Sequence, residues 1–253
     1  ARRAGTSKPG TSRLAIGVGW NADEYTNEDS GNTPGLPISV SVFDQDNELT
    51  PAITDNMDGT YTTVVDLPSA ASDTVTVLME GHPAATLDTT SGNPPYRWRI
   101  PVVNTFEYVQ VGSSRLPEGE RRDVVDATKC NGCHESGGVG ISLLGNNRTG
   151  EMQSCTLCHT ADSTDINRRP ADPADTADGK VEETIDFKRM IHQIHMGGDL
   201  ENGIVVWGFG FPGTEHDFSH VNFIGNRMNC ETCHLEGTYS TEEAWANLGT
   251  TIS

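Results

Sequence analysis

Aromatic side chains are scarce in this sequence, at 6% of 253 residues, and hydrophobic residues of every kind reach only 34%. That supply is lean for two side-chain cores in domains of roughly 100–150 residues each. A bulky group bringing its own apolar surface would close the deficit. Basic residues are also few: 17 against 36 acidic ones, for a net charge of −19. Phosphate backbones are bound through basic surface, so nucleic acid is not an expected partner, and the acidity reads as a hydrated exterior. No run approaches the ~18 apolar residues of a membrane helix, so no transmembrane segment is expected. The opening "ARRAGTSKPG" has neither an apolar signal core nor a lipid-accepting cysteine. The expectation is a processed or trimmed chain.

Cysteine is absent everywhere except in three short motifs: "CNGCH" (130–134), "CTLCH" (155–159) and "CETCH" (230–234). Cys130, Cys133, Cys155, Cys158, Cys230 and Cys233 are the whole complement, so none remains for a structural disulfide. A redox C-x-x-C needs no trailing histidine, and a four-thiolate zinc ribbon has no use for one. With 8 histidines in 253 residues, three chance hits directly after three cysteine pairs amount to roughly a 3 × 10⁻⁵ event on those readings. One chemistry requires the spacing. Two thiols add across the vinyl groups of a haem, and the next histidine reaches its iron. The expectation is three covalent c-type haems, with His134, His159 and His234 as proximal ligands.

Five histidines remain for the opposite faces of three irons: His82, His192, His195, His216 and His220. In "VEETIDFKRMIHQIHMGGD" (181–199), apolar residues recur at helical spacing and Gly197-Gly198 supply a stop. His192 and His195 stand three apart on one helix face. They cannot lie trans across one iron, so they are expected to ligate two adjacent haems. His216 and His220, in "EHDFSHVNF", are candidates for the third distal ligand, with His220 favoured. His82, in "MEGHPAA", is the remaining candidate, within the chain or towards a neighbouring copy. Met196 and Met228 are the methionines placed to compete. Arg121, Arg122, Arg148, Arg168 and Arg169 are candidate partners of haem propionates.

Residues 1–115 contain no cysteine and read as β. "LPISVSVFD", "GTYTTVVDL" and "DTVTVLMEG" alternate apolar and polar residues with β-branched enrichment, and Asp58-Gly59 suits a tight turn. The predicted fold is mixed. An N-terminal antiparallel β-sandwich, Ig-like, covers 1–115. A mostly irregular, short-helix multihaem cytochrome c domain covers 116–253. The stretch "NRRPADPADTADGK" (167–180) is expected as a polar surface loop, and the tail as a short helix capped by Ser240. Haem is expected to form much of the second domain's core, so the haem-free chain is not expected to fold.

The stretches "RRDVVDATKCNGCH", "NRTGEMQSCTLCH", "TDINRRP", "DFKRMIHQIHMGG" and "HDFSHVNFIGNRMNCETCHLEGTY" resemble the cell-surface multihaem cytochromes of metal-reducing bacteria, the OmcA/MtrC family, over about residues 95–240. The resemblance implies bis-His haems packed edge to edge and a β domain ahead of the haem domain. It also implies export through the periplasm to the cell surface or outer-membrane face, and electron delivery to extracellular acceptors such as metal oxides. Redox partner cytochromes or an outer-membrane conduit would be the partners, and His192 and His195 match the family's paired histidines. Two departures stand out. The chain has three haem motifs where the family usually has ten, so it reads as a shortened member or a fragment. Leu144, in "LLGNNR", stands where the family often has a histidine, so one haem must find its ligand elsewhere.

The functional expectation is an electron-transfer protein rather than an enzyme with a substrate pocket. A rival expectation joins copies through an interchain His–iron bond into a homopolymeric filament. The enzymatic alternative is a haem with an open axial site that reduces a small molecule.

Overall fold

The computed structural model describes residues 12–22, 24–44, 46–87, 96–111, 121–135, 138–208 and 213–240. The expected domain boundary at 115/116 and the expected helix of the tail beyond Ser240 lie outside the described residues.

The first strand, β1 (Arg13–Trp20), pairs antiparallel with β2 (Ile38–Ser41) on one side and, over its full length, with the later β5. Between them lies a small ribbon, β3 (Thr54–Asp55) and β4 (Tyr61–Thr62). Its connecting turn places Met57 and Gly59 at positive φ, so Asp58-Gly59 falls in a tight turn as the sequence suggests. β5 (Thr74–His82) runs through the middle of a four-stranded antiparallel sheet of order β2-β1-β5-β8. β6 (Ala84–Leu87) and β7 (Tyr96–Arg99) form a hairpin, and β8 (Thr105–Gln110) is the far edge strand.

Strand alternation divides this sheet into two faces. Val18, Trp20 and Val75 are buried on one, against Ile38, Val65, Ala71 and Val111. Register puts Ala15, Gly17, Gly19, Thr76, Leu78, Glu80 and His82 on the other. There Leu78 packs with Ala22, Tyr25 and Leu157, the third residue of the "CTLCH" motif. A Cβ at Gly19 would meet Leu157 Cδ1 at 2.5 Å, and one at Gly17 would meet Cδ2 at 3.3 Å. The two glycines are therefore the socket for that leucine. A β-sandwich would cover this face with a second sheet; here a residue of the motif-bearing half occupies it. Asn27, fully buried, fixes the seam by donating to the Leu157 carbonyl at 2.9 Å.

Beyond the sheet the elements are short. Helix α1 (Ala127–His134) carries the first motif, with Asp126 accepting from Thr128 N–H as its cap. The hairpin β9 (Ser142–Leu143) and β10 (Arg148–Thr149) leads into α2 (Gln153–Thr156), which begins the second motif. Helix α3 (Phe187–Met196) is capped by the side chain of Asp186, which accepts from Lys188 N–H, and a 3-10 turn over Gly197–Asp199 ends it. The ribbon β11 (Val205–Gly208) and β12 (Thr214–Asp217) follows. The third motif sits in a 3-10 turn at Cys230–Thr232.

What holds this half together is mostly polar. Arg169 has a fully buried side chain. Its Nε reaches Asp165 Oδ1 at 2.7 Å, its Nη1 reaches Asp178 Oδ1 at 2.7 Å, and its Nη2 donates to the Val205 carbonyl at 2.8 Å. Asp165 also accepts from Glu183 N–H and Trp207 N–H, at 2.7 and 2.8 Å. The segment 167–180, expected as a simple surface loop, is thus anchored by a buried ion network. Arg169 faces carboxylates of its own chain rather than a cavity.

Candidate haem-binding site

Main-chain pairing sets the three motifs relative to one another. Val125 bridges His234, Asp126 N–H donates to the Cys233 carbonyl at 3.0 Å, and Leu235 N–H donates to Val124 at 3.1 Å. Lys129 Nζ adds a bond to the His234 carbonyl at 2.6 Å. The first and third motifs are therefore neighbours, although about a hundred residues separate them in sequence. The second motif is tied to the start of α3 instead. His159 Nδ1 lies 2.7 Å from the Ile185 carbonyl, and Phe187 N–H donates to the His159 carbonyl at 3.1 Å.

Helix α3 then spans the gap. The His195 ring faces His134 of the first motif, with centroids 5.8 Å apart and planes at 72°. The His192 ring faces His234 of the third motif, with centroids 5.9 Å apart and planes at 12°. Metal–imidazole bonds of about 2 Å on either side of one ion would place the two ring centroids roughly 6 Å apart, so both spacings suit a shared axial metal. Each ring turns about its own metal–nitrogen axis, so either interplanar angle is acceptable. The Nδ1 atoms of His192 and His195 are taken up by the carbonyls of Lys188 and Ile191 one turn back. That contact orients each ring and leaves Nε2 to point outward, as second-shell bonds do for metal-binding histidines. Phe223 packs edge-on to His195 and Tyr239 edge-on to His234, each at 5.9 Å.

A cavity of about 680 Å³ lies among these groups, lined by His159, His192, His195 and His234 and by Cys230 and Cys233. Tyr25, Arg121 and Arg122 close another side. Arg121 lies over the Tyr25 ring at 5.7 Å, and Arg122 pairs with Glu24. The cavity size is that of a site for a sizeable organic group, and the donors around it are imidazoles and thiols, which suit a haem.

Protonation fits the same reading. Burial pushes the Cys155 thiol up to about 11 and raises Cys130 as well, with Cys233 contributing to the latter. Without a bound group, both thiols are held in the protonated form at neutral pH. Burial lowers His159, and burial followed by the neighbouring His192 lowers His234. Both rings are thus held neutral, the state that binds metal.

The remaining histidines separate sharply. His216 lies on the exposed strand β12 beside Phe218, and His220 is exposed in the following turn. Neither meets a motif among the described residues. His82 is 2% exposed at the end of β5. Its two ring nitrogens have no hydrogen-bond partner among the described residues. Met228 is 87% exposed, and the Met196 sulfur accepts from Arg227 Nη1 at 3.8 Å. Leu144 is 47% exposed at positive φ. Of the arginines, Arg148 pairs with Glu80 and lies 4.0 Å from Cys158 Sγ. Among the described residues, no helix is long and apolar enough to cross a membrane.

Two comparisons with known proteins return matches. The family model for outer membrane cytochromes, MtrC/MtrF-like, domains II/IV, matches residues 122–252, just over half of the chain. Among solved structures, MtrC from Shewanella baltica is similar at 16% identity over 81% of this chain, with a TM-score of 0.43. The match covers 34% of that protein, so this chain spans about a third of its length. No curated protein sequence matches.

Proposed function

The chain belongs to the MtrC/MtrF-like outer membrane cytochrome family, and from that premise we propose that it relays electrons outside the cell through three covalent c-type haems. The observation that carries the proposal is the pair of facing imidazole sets, His134–His195 and His192–His234, at 5.8 and 5.9 Å. Cys130 and Cys133, Cys155 and Cys158, and Cys230 and Cys233 are the attachment points. His134, His159 and His234 are the proximal ligands. Bound haem supplies a one-electron iron couple.

The chain's own contribution is position. Two distal ligands three residues apart on α3 keep the first and third sites within one helical turn of each other. The Lys188 and Ile191 carbonyls hold those rings in the ligating orientation, and imidazole on both faces keeps the potentials low. Covalent attachment prevents loss of the group where no replacement is at hand. The region to about residue 115 serves as a β scaffold, and the region from 116 onward carries the relay. Redox partner cytochromes or an outer-membrane conduit would deliver electrons, and extracellular acceptors such as metal oxides would take them.

Intact mass tests the proposal directly: three haem additions are expected, and a mass equal to the polypeptide alone overturns it. His192→Ala should turn one haem from low-spin to high-spin and leave attachment unchanged.

A second reading is favoured by one observation: among the described residues, no second imidazole faces His159. An open axial position there would suit a haem enzyme that reduces a small molecule. Stoichiometric cyanide or nitrite binding to the oxidised wild-type protein would support that reading, and a wholly low-spin spectrum that ignores both ligands would count against it. A homopolymeric filament draws on the solvent-facing His216 and His220 as interchain ligands. Loss of low-spin signal on dilution to monomers would mark such a bond.

A further inference from the structure

The three motifs sit in unequal surroundings. In the first, Cys133 and His134 are exposed, and the exposed Glu135 follows directly. In the third, Cys230 is exposed, with Glu231 exposed beside it. The second is enclosed: Ser154, Thr156, Leu157 and Thr160 are buried, and none of Cys155, Cys158 and His159 is exposed. An oxidised haem iron carries one more positive charge than a reduced one. Burial and neighbouring cations therefore favour reduction, while solvent and neighbouring carboxylates favour the oxidised form. We propose that the haem attached at Cys155 and Cys158 has the highest reduction potential of the three, and that Arg148 is the residue that raises it. The proposal rests on the haem reading above and ranks sites that the reading treats alike.

Arg148 clips the sheet to the motif. It stands on β10, with a side chain 14% exposed. Its Nε donates to the carbonyl of Ser154, immediately before Cys155, at 3.2 Å. Its Nη2 lies 4.0 Å from Cys158 Sγ, and its Nη1 pairs with Glu80 of β5. The cysteine sulfurs of a c-type haem hold its vinyl edge, and the propionates leave from the opposite edge. Arg148, which the sequence offers as a propionate partner, therefore faces the wrong edge for that role and acts through its charge.

That charge is not cancelled by its partner. Glu80, 3% exposed, also pairs with Arg13 at 2.9 Å, so two guanidiniums share one buried carboxylate and the cluster keeps a positive excess. Register puts Glu80 on the sheet face where Leu78 meets Leu157, so the cluster lies against the enclosed motif. Two other carboxylates act on this motif, Glu151 on Cys155 and Asp186 on His159. Both are engaged: Glu151 accepts from Gln153 N–H at 3.4 Å, and Asp186 caps α3 and pairs with Lys188 at 3.5 Å. Charges act more strongly in a buried setting than across solvent. The effect of Arg148 on its site should therefore exceed those of Glu135 and Glu231 on theirs.

The test is a potentiometric titration of the three-haem holoprotein, followed at the haem absorbance. Arg148→Gln should lower the highest midpoint by about tenfold in its one-electron equilibrium, about 59 mV, and leave the other two in place. Arg148→Lys should restore it. Glu80→Gln removes the counter-charge and should move the same midpoint the other way, whereas a general loosening of the seam would shift both variants alike. An unmoved highest midpoint in Arg148→Gln overturns the proposal, as does a shift of the same sign in Glu80→Gln. A double Cys155→Ala/Cys158→Ala variant should delete the highest midpoint, and loss of a lower one overturns the ranking. If the variants fail to accumulate, the wild type serves. Added salt screens the exposed carboxylates and should raise the two lower midpoints while the buried site stays fixed. A highest midpoint that moves with the others overturns the proposal. A wild-type mass without three haem additions breaks the relay proposal itself. An intact three-haem protein indifferent to Arg148→Gln breaks only the ranking.

Discussion

The sheet and the motif-bearing half are built on different principles. The sheet buries Val18, Trp20 and Val75 on one face and Leu78 and Tyr25 on the other, in apolar clusters of the ordinary kind. Among the described residues, the second half buries few apolar side chains, chiefly Leu157, Met190 and the run Ile204, Val205 and Val206. It is held by caps, short ribbons and the Arg169 network. A segment that leaves space for large flat cofactors keeps its own apolar residues out of that space, and its backbone must then be anchored by hydrogen bonds and charges. The difference teaches that low hydrophobic content need not mean disorder, provided a prosthetic group completes the core.

That contrast gives a graded set of expectations. The largest effect should follow removal of all six thiols by Cys→Ala. The region 121–240 should become protease-sensitive throughout while the β signal in circular dichroism persists. A second half that stays protected would break the contrast. Next, Arg169→Ala should cost about 3–5 kcal/mol, because it strands the buried Asp165 and Asp178 carboxylates. Denaturant titration followed at the haem absorbance should show it.

Leu157→Ala should cost about 2–5 kcal/mol. Leu157 belongs to both halves, so Trp fluorescence and haem absorbance should shift together. A shift in one probe alone would mean that the halves unfold independently. The smallest effect concerns pH. Burial pushes the Asp178 carboxyl up, but the Arg169 guanidinium and the Lys180 N–H outweigh it and hold the value below the ordinary carboxylate range. A group lowered on folding stabilises the native state above its unfolded pKa, about 3.9, and that stabilisation is lost as pH falls through the folded value. Asp178→Asn should therefore flatten the stability profile below about pH 4 and leave its shape near neutrality unchanged.

Much of the candidate site was legible in the sequence because the pattern that defines it is local. C-x-x-C-H fixes three positions within five residues, and the periodicity of 181–199 placed His192 and His195 on one helix face. Long-range features were not legible. Strand β1 carries an alternation at Leu14, Ile16, Val18 and Trp20, but Gly17 and Gly19 weaken the β signal. Their purpose lies in Leu157, well over a hundred residues away. Arg169 resembled a surface partner for a propionate because spacing alone does not reveal that Asp165 and Asp178 fold around it.

Leu157 stands between the two cysteines of its motif, and its side chain is 1% exposed in the Gly17–Gly19 socket. If a porphyrin is joined to those thiols, as proposed above, the residues between them must be reached before the leucine is seated, and the scaffold can close only over a finished site.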